Sequence, residues 1–482
     1  MAHFDSRSLI PIAFCLIGIL GSTDCAHYEA RPITAPAVLQ AIEARSLTSN
    51  EMRDHLQAAR SVAEWPPAFW DLRMLTLAAF QYHPDLAVAR AVSKSAVAAI
   101  TTAGERPNPS LTTGPGYNST SDSSVVSPWI FDIGLGLTIE TAGKRGYQIA
   151  QAKELSAASR LNIATVAWQV RGRVRESLLA LFAARRRGGL LARQEELQST
   201  LASLVERQWT AGAISRFELS RARAALIETQ IAQKDTARAE AEARVSLAAA
   251  LGVTPEAIDE VTLSFGDLER IPPDLTESEA RRQALLNRPD VLGTLMEYAA
   301  SQSALQLAVA RQYPDLNLGP GYQLDQGDSK WSLSLGGLLS IFHRNRGPIA
   351  EAEAKRAEAA ARFTGVQSRA IEQIEQASVA SRAARDKVAA VDELLSNRQE
   401  QLRTIESQHR AGEVSRLDVV SAELDFARVE LARLEALLNF HAAIGLTEDA
   451  MQSPADLAAW LPDPMPVPSP SPTPPSNTTG LR

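Results

Sequence analysis

Cysteine is nearly absent: the chain has two, Cys15 and Cys25, both within its first 25 residues. The rest of the chain has no thiol for a disulfide framework or a thiolate metal site. Aromatic residues are scarce at 5%, which fits long helices with narrow apolar seams better than a compact enzyme core. A surplus of one charge is missing as well. The net charge of −7 arises from acids and bases mixed along every stretch, so no basic face exists for a phosphate backbone and nucleic acid is excluded as a partner. His55, His83, His343, His409 and His441 have no spacing that sets two ligands on one helical face, so no metal site or cofactor is expected. No Ser-His-acid or Cys-His set clusters, and the chain is read as not an enzyme. Beyond the N-terminus there is no run of about 20 uninterrupted apolar residues, so any crossing of a membrane falls to β-strands.

Residues 1–25 read as an export signal, with Arg7 ahead of the apolar run from Leu9 to Leu20, which is too short for a permanent span. Cys25 stands where a lipoprotein cysteine would and is a candidate for lipidation. Asp24 precedes it where such signals carry a small residue, and cleavage nearby without a lipid is the alternative. At the other end, Leu461 to Arg482 is rich in Pro, Ser and Thr, a composition that builds neither ladder nor helix.

What is present is an internal repeat. Tyr82-His-Pro-Asp-Leu86 recurs as Asn287-Arg-Pro-Asp-Val291, and Gly114-Pro-Gly-Tyr117 as Gly319-Pro-Gly-Tyr322, both 205 residues later. Arg145-Gly146 matches Arg346-Gly347, and Ala211-Gly-Ala-Ile-Ser-Arg216 matches Ala411-Gly-Glu-Val-Ser-Arg416 at a spacing of 200. Ala250-Leu-Gly-Val-Thr254 matches Ala443-Ile-Gly-Leu-Thr447 at 193. The second copy is thus seven residues shorter between its last two landmarks, and the loss of one heptad leaves a coiled-coil seam in phase.

Each copy carries a long helical arm and a return arm. Val388, Val391, Leu395, Leu402 and Ile405 keep 3/4 spacing if Arg398 fills the gap, and Leu417, Val420, Leu424, Ala427, Leu431, Leu434 and Leu438 step 3, 4, 3, 4, 3, 4. In the first copy, Val170, Val174, Leu178 and Leu181 followed by Leu197, Leu201 and Leu204 form the seam. Taken as one helix, Gly146 to Ala211 would be about 100 Å long. At the joints, Gly212 and Gly412 can end one helix in a left-handed cap while Ser215 and Ser415 begin the next. Ser215-Arg-Phe-Glu218 is a capping box, and Ser415-Arg-Leu-Asp418 a weaker one with the shorter acid.

Just before each long arm lies a pair of segments with period two: Leu111 to Tyr117 with Ile130 to Ile139, and Leu316 to Leu324 with Trp331 to Ile341. Ile133, Leu135, Leu137 and Ile139 face one way and Asp132, Gly134, Gly136 and Thr138 the other, as lipid on one side and water on the other require. Four strands cannot close a membrane barrel, and an open edge in hydrocarbon costs several kcal/mol per unpaired backbone group. Oligomerisation follows, and three copies would supply 12 strands. Soluble hairpins resting on the helices are the competing reading.

This layout, with Gly-x-x-Ser-x-x-acid at each tip, resembles the TolC family of outer membrane factors from about Arg31 to Met451. The resemblance implies a homotrimer: a transmembrane β-barrel of four strands per protomer, continuous with a coiled-coil α-helical tunnel in the periplasm. It implies a signal at 1–25, an N-terminal periplasmic segment at 26–70 and repeat 1 at 71–265, with a β-hairpin at 111–139 and a helical hairpin at 146–250. Repeat 2 follows at 266–450, with a β-hairpin at 316–341 and a helical hairpin at 347–445, and a disordered tail at 451–482. Ile139-Glu-Thr-Ala-Gly-Lys-Arg-Gly146 resembles the CzcC-like branch serving heavy-metal efflux, whereas the second copy departs from it at Phe342-His-Arg-Asn-Arg-Gly347.

Lys144, Arg145, Arg344 and Arg346 would lie near the inner rim of the barrel, where cations meet lipid phosphates or barrel-end carboxylates; a plainly solvated rim is the alternative. By the same resemblance Gly212, Ser215, Arg216 and Glu218, with Gly412, Glu413, Ser415, Arg416 and Asp418, would meet a periplasmic adaptor and form the closed aperture. The expected function is a passive outer membrane channel of a tripartite efflux system, fed by an inner-membrane pump of the resistance-nodulation-division class. A duct for drug efflux or type I protein secretion shares this architecture, whereas a periplasmic coiled-coil adaptor would lack the strand pairs.

Overall fold

The computed structural model describes residues 27–59, 64–119, 127–270, 285–338 and 342–452. The expected export signal with Cys25, and the tail beyond Gln452, lie outside the described residues. The chain divides into two units, Met1–Ala44 and Arg45–Arg482. The first carries helix α1 (Ala35–Glu43), which has a proline in its first turn and buries no residue.

In the second unit, α2 (Asn50–Ala58) and α3 (Leu72–Tyr82) precede the first repeat: α4 (Pro84–Gly104), β1 (Ser110–Tyr117), β2 (Trp129–Ile139), α5 (Lys144–Thr210) and α6 (Arg216–Leu251). A short α7 (Pro255–Asp259) and a single 3-10 turn at Gly266–Leu268 follow. The second repeat runs α8 (Pro289–Ala310), β3 (Leu316–Asp325), β4 (Asp328–Gly337), α9 (Arg346–Arg410) and α10 (Arg416–Met451). Among the described residues only α4 is long and apolar enough to cross a membrane by length and composition; it carries Asp85, Arg90 and Lys94 and packs along α5.

Each long arm is one uninterrupted helix, of 67 residues in α5 and 65 in α9, or about 100 Å at 1.5 Å per residue. The return arms are equal, at 36 residues each. The return helix has therefore not lost a heptad, because the matched glycines do different work. Gly252 ends α6 at φ +76°, with Tyr82 O placed 2.7 Å from where a Cβ would stand. Arg45 Nη1 donates to Tyr82 O at 3.1 Å and to Gly252 O at 2.6 Å. Gly445 lies inside α10, which continues past it to Met451. A Cβ there would collide with the Arg175 guanidinium, which is 8% exposed and donates to Asp449 at 2.5 Å and 3.2 Å and to Glu448 at 3.3 Å.

The seam on α10 lies as expected, with Val420, Leu424, Ala427 and Leu434 buried and Leu417, Leu431 and Leu438 half-buried. On α5, Val170, Val174, Leu178 and Leu181 are buried, but nearer the tip the stripe is rotated by one residue. Gln198, Ala202 and Val205 are buried there, while Leu197, Leu201 and Leu204 stay half-buried. Ala202 packs in one cluster with Ala222 of α6; two methyl side chains let the backbones approach, which leaves the leucines on the flanks. The largest apolar cluster sits midway along α5, beside the C-terminal end of α6. Met52 and Leu56 of α2, Leu75 of α3, Leu178 and Phe182 of α5, and Leu247 of α6 meet there with Trp70.

The strands form one antiparallel sheet in the order β1-β2-β3-β4. The expected fourth strand, Trp331 to Ile341, instead begins at Asp328 and ends at Gly337, because Gln326 and Gly327 take positive φ and turn the chain tightly, so that Asp328 already pairs with Asp325. Residues 339–341 lie outside the described residues.

Gly445→Ala should lower the unfolding free energy by about 1–3 kcal/mol through overpacking against Arg175. Gly365→Ala in α9, where nothing lies within 4 Å of a new Cβ, should raise it by about 0.5–1 kcal/mol. Thermal unfolding of the two variants in detergent checks the opposite signs.

Candidate functional site

The sheet separates two chemistries by register. On one face, Leu111 stands opposite Leu135, Thr113 opposite Ile133 and Tyr117 opposite Trp129. In the second hairpin Leu318 meets Leu335 and Tyr322 meets Trp331. Trp331, Leu333 and Leu335 are 71–83% exposed. Both Tyr–Trp pairs touch, with ring centroids 5.1 Å and 4.9 Å apart; Tyr117 and Trp129 stand at their strand ends and Tyr322 and Trp331 three residues inside theirs, toward the end of the sheet where an aromatic girdle meets a membrane interface. The periodicity alone did not reveal them. A Tyr late in one strand facing a Trp early in the next was the available signal.

On the other face five cross-strand pairs join a glycine to a small or polar residue: Ser110 with Gly136, Thr112 with Gly134, Gly114 with Asp132, Gly319 with Ser334 and Gly321 with Ser332. A Cβ on Gly114, Gly134, Gly136, Gly319 or Gly321 would meet the partner's side-chain oxygen within 3 Å. This face holds a shallow cleft of about 370 Å³ lined by residues including Ser110, Thr112, Asp132, Gln323 and Ser334.

The strand-to-helix junction gives Lys144 a fixed partner. Its Nζ donates to Asp315 Oδ1 and Tyr313 O, both at 2.6 Å, and it is 7% exposed. The Thr141 amide donates to Asp315 Oδ1 at 3.0 Å. Of the two partners expected for Lys144, the barrel-end carboxylate is the one it meets, and burial leaves it unavailable to lipid phosphate. Arg145 is half-buried, and Arg344 and Arg346 are exposed. Burial works to raise the Asp315 carboxyl. The Lys144 bond, the Thr141 amide and the lysine's charge outweigh it, so Asp315 titrates below the usual carboxylate range. In the second repeat Asn345, at φ +53°, takes the place of Lys144 and donates to Ala308 O at 2.7 Å.

At the tips, Gly212 and Gly412 have φ of +71° and +80°. Both serines form complete capping boxes. The Ser215 amide donates to Glu218 and the Ser415 amide to Asp418, each at 2.9 Å, so the aspartate box lacks nothing that the glutamate box has. The Ser415 hydroxyl and amide hold the Asp418 carboxyl below its ordinary range. Val205, Leu219, Ile214 and Leu417 cluster, which sets the two tips side by side. Arg416 pairs with Glu423 at 3.7 Å, not with Glu413. Neither Glu413 nor Arg216 has an ion-pair partner among the described residues.

A ladder of ion pairs joins the repeats along α5 and α10. Arg171 meets Glu448 at 2.6 Å and Arg175 meets Asp449 at 2.5 Å; Arg187 pairs with Glu435, and Arg193 lies 3.5 Å from Glu430. Every base is on α5 and every acid on α10. Nothing in the local sequence of either helix marks it.

An amphipathic four-stranded sheet with open edges, continuous with two helical hairpins about 100 Å long, is the protomer architecture of an outer-membrane channel. The chain belongs to the outer membrane efflux protein family, whose model matches residues 77–253 and 280–444, nearly all of both repeats. The pyoverdine export outer membrane protein OpmQ of Pseudomonas putida is 25% identical over 333 residues, covering 65% of this chain and 70% of that protein. Among solved structures, the outer-membrane channel OprN matches with a TM-score of 0.66 at 17% identity, covering 90% of this chain and 99% of that one. CusC matches at 0.63 and 18%, covering 81% and 94%. VceC of Vibrio cholerae matches at 0.63 and 18%, covering 79% and 96%. At these identities the likeness is one of fold. The protein is an outer-membrane TolC-family factor that extends into the periplasm, and its family and structural neighbours are channels, not enzymes.

Asp315→Asn should destabilise the junction by about 2 kcal/mol at neutral pH, a value reduced from that of a fully buried pair because Asp315 is 37% exposed. Because the native pKa lies below the unfolded value of 3.8, the contribution is complete above that value and is lost as pH falls through the native pKa. The wild type should therefore lose its advantage over the variant in acid, as paired thermal melts would record. Ser215→Ala should cost α6 about 1 kcal/mol of cap energy. Amides of the first turn after residue 215 would then exchange hydrogen about fivefold faster, with those of the second tip unchanged.

Proposed function

We propose that three copies of this chain close a 12-stranded barrel in the outer membrane and a helical duct beneath it, through which cargo passes without chemistry. The observation that carries this reading is the open, two-faced sheet. β1 and β4 each leave one edge unpaired within the chain, and hydrocarbon tolerates no such edge. Three copies bring the strand number into the range of a water-filled lumen.

Energy comes from an inner-membrane pump, and a periplasmic adaptor docks at the tips around Gly212, Ser215, Arg216, Glu218, Gly412, Glu413, Ser415, Arg416 and Asp418. Docking untwists the capped hairpins and opens the aperture. The paired charges close to the tip, Arg223 with Glu206 at 2.7 Å and Arg416 with Glu423, re-form as the helices shift. Glu413 and Arg216, without an ion-pair partner among the described residues, set the electrostatic barrier there.

For cargo, heavy-metal cations are one reading and a siderophore-like organic ligand the other. The metal reading rests on the Ile139 to Gly146 segment. Lys144 there serves a structural bond to Asp315, which accounts for the lysine without reference to cargo. The relative named for pyoverdine export favours the organic reading. Deletion followed by challenge with divalent metals and, separately, by assay of siderophore release separates the two.

Outer membranes extracted in mild detergent should yield a heat-modifiable species that cross-links to a trimer. A soluble periplasmic monomer would sink the barrel.

A further inference from the structure

The two long arms differ partway along their length. α5 carries Gly188-Gly189, where α9, 200 residues later, carries Val388-Ala389. Packing demands neither glycine. A Cβ on Gly188 would lie 3.7 Å from the Thr236 methyl, an ordinary contact, and one on Gly189 would have nothing within 4 Å. Alanine fits at both positions, so the pair weakens the helix with no steric reason for doing so.

The seam beside the glycines is weak for an independent reason. Tipward of the cluster that holds Phe182, α5 packs Leu190 on its edge and next joins an apolar cluster at Leu201. Between them Gln194 and Gln198 each bury Oε1, and so does Gln233 of α6; none of the three oxygens has a hydrogen-bond partner among the described residues. Gln198 is only 3% exposed. On α6, the buried residues between Ala222 and Ala243 are Thr229 and Thr236. Their hydroxyls donate back to Ala225 O and Ala232 O of their own helix, a pattern that bends helices. In the second repeat Val388, Val429 and Ala436 replace Gly188, Thr229 and Thr236, and all three are buried. α9 has a glycine with open space around it, Gly365, but among the described residues no unpartnered buried side-chain atom lies on that helix.

We propose that α5 bends at Gly188-Gly189 when the duct opens, carrying residues 190–210 and the adjoining part of α6 with it, while α9 and α10 move as one rigid hairpin. Sharp bends in long helices fall at glycine pairs and where water enters the backbone ladder. Both conditions meet here, because water drawn into the bent seam supplies the partners that the three glutamine oxygens lack. Arg171, Arg175 and Arg187 hold α5 to α10 on the strand side of the bend. Tipward of it the pair is Arg193 with Glu430, a longer contact at 3.5 Å. The inference rests on the reading that the tips part to open a duct, and it assigns where the wall yields and in which repeat.

Hydrogen exchange followed by mass spectrometry, on the full chain in mild detergent, reads the seam. Amides of residues 189–198 should exchange about tenfold faster than those of residues 389–398. The double variant Gly188→Ala, Gly189→Ala should remove most of that difference. Gln194→Leu combined with Gln233→Leu should slow the same amides, because it removes two of the oxygens that draw water in. Equal rates in the two arms of the wild type would overturn the bend, and so would a double alanine variant that exchanges like the wild type.

Channel recordings in planar bilayers, with potassium chloride as the only probe, read the gating role. The double alanine variant should open about tenfold less often than the wild type, although thermal melts show it to be the more stable protein. Gly365→Ala gains stability away from this seam and should open as often as the wild type. An unchanged opening frequency in the double variant, or the same loss in Gly365→Ala, would overturn the gating role. Conductance missing from the wild type itself would overturn the duct and the gating role together, and the exchange rates would still decide the bend.

Discussion

An unpaired strand edge has no place in hydrocarbon. Every backbone N–H and C=O at membrane depth must find a partner, and the lipid supplies none. The chain contributes a four-stranded sheet with an apolar face and two open edges, so its β-half is incomplete alone. The helical half inherits that requirement: whatever closes the strands must also bring the long arms together, and the arms carry bare apolar stripes where the strands carry bare edges. The Lys144–Asp315 clasp ties the two halves within one chain, because it fastens the start of α5 to the start of β3.

Much of the architecture could be read from local pattern. The strand pairs followed from period-two alternation, the long arms from 3/4 spacing, and the tips from Gly and Ser three residues apart. These signals are short-range, since each element's own residues decide its conformation. The contacts that join elements were not legible. Lys144 reads equally as a free cation at the rim, and only the fold brings Asp315 to it from 171 residues away. The Arg–acid ladder on α5 and α10 looks like ordinary solvated charge until the two helices are laid side by side.

Two expectations failed for physical reasons. The matched glycines Gly252 and Gly445 suggested that the second return arm is a heptad shorter, yet both arms have 36 residues. A glycine marks a place where a side chain cannot fit, and sequence does not say whether the obstacle is a carbonyl at a helix end or a guanidinium crossing mid-helix. The rotated stripe near the tip of α5 has a similar origin. Counting leucines finds the bulkiest positions, whereas the closest helix contacts here use Ala202 and Ala222.

Fusing two repeats into one chain has a consequence for how such a protein can diversify. In a ring of single-repeat subunits every joint is made by the same residues, so any substitution is repeated at every joint. Here the joint inside the chain, with its run of arginines facing acids, is encoded separately from the surfaces left for a neighbour, where Glu393 and Gln230 stand in place of Arg193 and Glu430. The covalent joint can stay rigid while the other drifts in strength, which gives evolution an adjustable hinge at alternate positions without loosening the whole wall.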